Sequence, residues 1–193
     1  MKAIKVKIWH LILFQSILVL LSITINSLWL KKNLSSLLLN DFSLFYQIII
    51  GSLTGFSASA IILLSLKILR SKITLLNHLR TLYESRVTLI MFTCIITGFS
   101  EELFFRVIIQ STTGLVLASL AFTIAHSQFW AVPPINLGKI VFGSVILLMG
   151  CIFGTLYNSL GYVCATSSHI FFDFVLLIGI KYFLIPKNTN IVQ

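Results

Sequence analysis

The stretch Val87–Gln110 reads VTLIMFTCIITGFSEELFFRVIIQ. As a helix it is long and apolar enough to cross the hydrocarbon core of a bilayer, which takes about 20 residues. Yet Glu101, Glu102 and Arg106 lie inside the run. A charged side chain near the bilayer centre costs roughly 2.5–3.5 kcal/mol on insertion scales. A helix whose sole task is packing has no need of three such residues. Ionisable groups at membrane depth are functional-site candidates by default.

Apolar runs of the same kind recur on both sides of this stretch, at Ile8–Leu30, Leu44–Leu66, Leu115–Trp130, Lys139–Asn158 and Tyr162–Leu184. The run from Leu115 is the shortest. Of the 193 residues, 58% are hydrophobic and 10% charged, against about 45–50% and about 25% in a soluble domain. With a mean hydropathy of +1.03, this excludes a soluble globular domain, a disordered chain and a disulfide-stapled scaffold. The expected fold is all-α: a polytopic membrane helix bundle of about six transmembrane helices around a midplane polar cavity. Residues 1–193 read as a single membrane domain, with 87–184 as the core that carries the site. The polar stretch Lys67–Arg86 reads as an amphipathic linker helix on the membrane surface, and Pro133-Pro134 and Asn158–Gly161 read as breaks between runs. Lys2, Lys5 and Lys7 imitate the start of a signal peptide, but the run after them is long and no small-residue cleavage site follows it, so it reads as a retained first span.

The net charge of +9 would point to nucleic acid in a soluble protein. Here the basic residues fall mostly between the apolar runs, so no nucleic-acid partner is expected and the bilayer itself is the partner. With the N-terminus inside, eleven Lys and Arg lie on the inner side and only Lys31 and Lys32 on the outer. The positive-inside rule then puts both termini in the cytoplasm of a protein spanning the cell membrane. Cys94, Cys151 and Cys164 are scattered in apolar runs without CxxC or Cys/His zinc spacing, and read as packing residues.

The remaining ionisable residues at depth are His126, His169 and Asp173. Residues four apart share a helix face, so Glu102 can pair with Arg106, and His169 stands beside Asp173. Glu101 points about 100° away from Glu102 and lacks the arginine. Counted at 1.5 Å per residue from the outer ends of their runs, Glu101 lies roughly 14 Å down, His126 roughly 16 Å and His169 roughly 10 Å. Glu101, His126, His169 and Asp173, from three helices, therefore converge near the midplane. A carboxylate and a neutral imidazole can hold and deprotonate a water. A second imidazole beside another polar group can stabilise a developing oxyanion. Those are the parts of a peptide hydrolase with no covalent nucleophile. The same two histidines and two carboxylates also offer ligands to a divalent metal such as zinc, although no HExxH helix is present. A proton or ion carrier uses similar residues, but no repeated half-bundle or paired broken helices support it.

Three short motifs carry a family resemblance. Glu101-Glu102-Leu103-Phe104-Phe105-Arg106 is similar to the EExxxR motif of the CAAX-protease and bacteriocin-processing family (CPBP, or Abi) of intramembrane proteases. Phe122-Thr123-Ile124-Ala125-His126 resembles its FxxxH motif, and His169-Ile170-Phe171-Phe172-Asp173 its HxxxN/D motif. The resemblance covers about Val87 to Asp173 and the rest of the last run. It implies a fold like that of type II CAAX prenyl endopeptidases, in which Glu101 and His126 would activate water, His169 and Asp173 would stabilise the oxyanion, and Glu102 and Arg106 would support the site. The implied substrate is a membrane-associated peptide or protein, prenylated or a bacteriocin-like precursor. Asp rather than Asn at 173 departs from the prenyl-protease branch, and the small, strongly apolar chain rich in Asn, Ile, Leu and Lys resembles the bacterial branch of self-immunity, peptide-maturation and surface-protein regulation factors. A non-catalytic self-immunity or scaffold protein of the same fold is the alternative.

Overall fold

Inside a bilayer no water satisfies backbone N–H and C=O groups, so a spanning segment has to pair them within itself. The computed structural model describes residues 8–31, 41–68, 85–127 and 137–184, and these form helices with no strand among them. Helix α1 runs over Ile8–Ile25 and continues as a π-helical turn over Asn26–Leu30. Helix α2 is Leu44–Ile68. Helix α3 is Val87–Glu102, continues as a π-helix over Leu103–Gln110 and closes with Ser111–Thr113. Helix α4 is Leu115–Ala125, α5 is Leu137–Leu160, and α6 is Tyr162–Gly179 with a π-helical end over Ile180–Leu184. Gly114 (φ 85°) and Gly161 (φ 103°) make the breaks before α4 and α6, a conformation that costs a residue without Cβ little.

Five of these helices are long and apolar enough to cross a membrane. The exception is α4. The run drawn from the sequence extends to Trp130, but the helix gives way after Ala125, where the polar residues His126-Ser127-Gln128 begin and His126 adopts φ −93° and ψ 10°. Eleven residues reach about 16 Å, roughly half of a 30 Å hydrocarbon core. His126 is thus delivered at the end of a half-length helix rather than from the middle of a full span. Trp130, Pro133-Pro134 and most of the Lys67–Arg86 linker lie outside the described residues.

The distribution of polarity is inverted relative to a protein in water. Gln15, Ser22, Gln47, Ser59, Ser100, Glu101, Glu102, Arg106, Gln110 and His169 are buried, while Leu20, Phe45, Ile61, Val116, Leu137 and Phe183 are exposed. Helix α6 is the hub, packed most extensively on α2 and also on α3 and α5; α1 lies on α3, and α4 lies between α5 and the π-helical part of α3. The α2–α6 seam is built from small residues. A Cβ at Gly51 would run into the Cys164 carbonyl, and one at Gly55 into the Ser168 carbonyl. One further turn along, Ser59 Oγ donates to the Phe172 carbonyl at 2.7 Å. Lipid tails are as apolar as leucine, so such close backbone approach is what holds helices together in a membrane. The seam fixes α6, and α6 carries two of the candidate site residues on another face.

Candidate active site

The two adjacent glutamates of α3 have different surroundings. Glu102 is fully satisfied. Its Oε2 accepts from Arg106 Nε at 2.8 Å, one helical turn on, and its Oε1 accepts from His169 Nδ1 at 2.9 Å. The chain of contacts continues down α3 and across to α5. Arg106 Nη1 donates to Gln110 Oε1 at 3.2 Å, and Gln110 Nε2 lies 2.8 Å from both the Gly154 carbonyl and Asn158 Oδ1. Glu102 and Arg106 have no solvent exposure. A buried ion pair holds its charge only when good geometry and further hydrogen bonds replace water, and this ladder provides both.

Glu101 is only half satisfied. Its Oε1 accepts from Gln15 Nε2 of α1 at 3.0 Å. Its Oε2 is buried and has no hydrogen-bond partner among the described residues. That oxygen faces His126 Nε2 at 3.5 Å and His169 Nε2 at 4.0 Å. These separations are long for direct hydrogen bonds and suited to a shared water. His126 Nδ1 lies 2.8 Å from the Phe122 carbonyl. A carbonyl only accepts, so Nδ1 carries the proton, and in the neutral ring Nε2 is the basic nitrogen turned toward Glu101. His169 Nδ1 likewise donates to Glu102, which leaves its Nε2 facing Glu101 and, at 3.5 Å, Asp173 Oδ2.

Aromatic rings hold the imidazoles in place. Phe153 of α5 stacks on His169 with centroids 4.7 Å apart and planes 15° apart. Phe122 stands edge-on to His169 at 5.8 Å and 4.5 Å from the His126 ring. On the Phe122 ring the Arg106 guanidinium lies 5.5 Å from the centroid. The side chains of His126 and Asp173 are 22% and 28% exposed, against 8% for Glu101 and 3% for His169.

The structure therefore brings the four sequence candidates Glu101, His126, His169 and Asp173 around one space, with Glu102 and Arg106 behind it. The sequence reading left Glu101 without a partner; the structure supplies one, because Gln15 reaches it from a helix that looked generic. Ser100 and Phe153 were missed as well. A signal was present for Gln15: it lies on one buried polar stripe of α1 with Ser22 and Asn26, at helical spacings of seven and four. Among the described residues no group of three or more His, Cys, Asp or Glu side chains is disposed to hold a metal ion. The Nδ1 atoms of His126 and His169 are committed to Phe122 and Glu102, and their Nε2 atoms are turned toward Glu101.

Residues 83–175 match the family model described as type II CAAX prenyl endopeptidase Rce1-like. No curated protein and no solved structure gives a match. The matched stretch is just under half of the chain and holds all three motifs, Glu101 to Arg106, Phe122 to His126 and His169 to Asp173, while α1 and α2 lie outside it. This agrees with the resemblance drawn from those motifs: residues 83–175 are similar to the type II CAAX prenyl endopeptidase Rce1-like family and lie in a bundle with five helices long and apolar enough to cross a membrane.

Proposed function

We propose that this protein is an intramembrane endopeptidase in which Glu101 and His126 activate a water molecule directly. The family is one of CAAX-type proteases; the assignment of roles is ours. One observation carries it: in an interior where Glu102 is fully paired, one oxygen of Glu101 is tied to Gln15 and the other has no hydrogen-bond partner among the described residues, facing two imidazole nitrogens.

In this reading a water sits between Glu101 Oε2 and His126 Nε2. Glu101 takes a proton from it while the water oxygen attacks the scissile carbonyl carbon. The resulting oxyanion accepts a hydrogen bond from Nε2–H of doubly protonated His169. Glu102 and Asp173, on the two ring nitrogens, balance the charge of that imidazolium. Collapse breaks the C–N bond, and the proton held by Glu101 passes to the leaving amine. Glu102 and Arg106 support the site by fixing His169. Residues 87–184 form the catalytic core of a single membrane domain. The substrate is a membrane-associated peptide or protein, prenylated or a bacteriocin-like precursor, that enters from the side where His126 and Asp173 are exposed. The loop charges support a cell-membrane protein with both termini cytoplasmic.

The test is proteolysis in liposomes by the purified protein and a Glu101→Gln variant. Farnesylated peptides ending in a CAAX sequence and double-glycine leader peptides serve as probes, with and without a chelator. Cleavage by the parent and a loss of about 10²–10⁴-fold in the variant supports the reading. Equal cleavage by both overturns the role of Glu101. Loss of activity in chelator replaces the direct mechanism with a metal-assisted one.

A further inference from the structure

We infer that Gln15 of α1 is a positioning residue that aims Glu101, so that the site is completed by a helix outside the matched stretch 83–175. The inference rests on the hydrolase reading above and assigns a device within it. Gln15 is 1% exposed on a helix whose neighbouring Leu13, Phe14 and Ile17 are each more than half exposed. A buried amide at membrane depth is costly unless both its ends are paired. Both ends are paired here, and both to α3. Nε2 donates to Glu101 Oε1 at 3.0 Å, and Oε1 accepts from Ser100 Oγ. The orientation of the amide follows from the chemistry, because turning it over would set its oxygen against a carboxylate oxygen.

The consequence for Glu101 is geometric. A carboxylate held by nothing rotates about its last torsion and presents either oxygen. With Oε1 held by Gln15, the carboxylate plane is fixed and Oε2 is the oxygen presented to His126 Nε2 and His169 Nε2. Placement of the reacting group before substrate arrives is a recognised source of rate. Ser100 and Glu101 are consecutive, so the hydroxyl that holds the amide and the carboxylate held by it move together.

The test uses the full chain and Gln15→Met, which keeps length and bulk and removes the donor. Two readouts separate positioning from mere packing. The first is kinetic, on a farnesylated CAAX peptide. Loss of one hydrogen bond to a charged group predicts kcat lower by about 10- to 100-fold with KM unchanged. The second needs no substrate. The carboxyl C=O stretch that Glu101→Gln removes, read by infrared difference between acid and neutral pH, moves to higher wavenumber in Gln15→Met. If Gln15→Met does not fold, Ser100→Ala is read in its place and gives the same changes at smaller size. A folded variant with parental kcat and an unmoved band overturns the inference, and the hydrolase reading stands if Glu101→Gln is inactive. Parental cleavage by Glu101→Gln overturns the hydrolase reading instead, while the band still reports whether Gln15 holds the carboxylate.

Discussion

The α2–α6 seam and the polar centre around Glu101 join the same helix by opposite means. At the seam, Gly51 and Gly55 let the α2 backbone approach the carbonyls of Cys164 and Ser168, and Ser59 reaches that of Phe172. No charged side chain takes part in these contacts. At the centre, His169 meets Glu101, Glu102 and its neighbour Asp173 through side chains alone. Residues 164, 168 and 172 repeat every four positions, and 169 and 173 follow the last two by one, about 100° around α6. One face of α6 is therefore for attachment and the next for chemistry. The seam holds α6 in place without using the face that carries His169 and Asp173.

Three substitutions test this division, beginning with the one that breaks most. Arg106→Leu strands Glu102 as a buried carboxylate, with His169 its remaining partner. Removing one partner of a buried pair costs about 3–5 kcal/mol, expected as a large loss of resistance to SDS-driven unfolding together with loss of cleavage. A small effect would mean that the Glu102–Arg106 pair does not hold the centre. Gly55→Val drives a side chain into the Ser168 carbonyl and the Phe172 N–H. Overpacking of this kind costs about 1–3 kcal/mol. Activity is expected to fall with stability, because α6 moves and takes His169 with it. Full activity in a destabilised Gly55→Val protein would break the comparison by separating the seam from the placement of the site. Ser59→Ala removes one hydroxyl and leaves the helix spacing alone. It should cost about 0.6 kcal/mol, the average for an interhelical hydrogen bond in a membrane protein, with cleavage unchanged.

Hydropathy made the helix bundle and five of its long apolar helices legible, because a bilayer imposes length and polarity on every crossing segment. The site was legible where the signal was local: Glu102 and Arg106 four apart, His169 and Asp173 four apart, and charge where charge is costly. What stayed hidden depended on distance along the chain. Gln15 and Glu101 are 86 positions apart, and an amide in an apolar run does not name its partner. The end of α4 after Ala125 was hidden for a different reason. The run read from the sequence extends to Trp130 across His126-Ser127-Gln128, while the stop lies in the conformation of His126, whose Nδ1 faces the Phe122 carbonyl. Gly51, Gly55 and Ser59 follow helical spacing but carry no polarity signal strong enough to identify α6 as their neighbour.

The position of α6 as the hub also bears on how the protein is made. Of the six described helices it is the last to leave the ribosome, and it brings His169 and Asp173 with it. Before then, α3 has entered the membrane with Glu101, Glu102 and Arg106, and α4 has brought His126. The oxyanion-binding half of the proposed machinery is still missing at that stage. A nascent chain with the water-activating pair alone cannot complete hydrolysis. In the proposed mechanism, hydrolysis would therefore wait for the docking of α6 against α2.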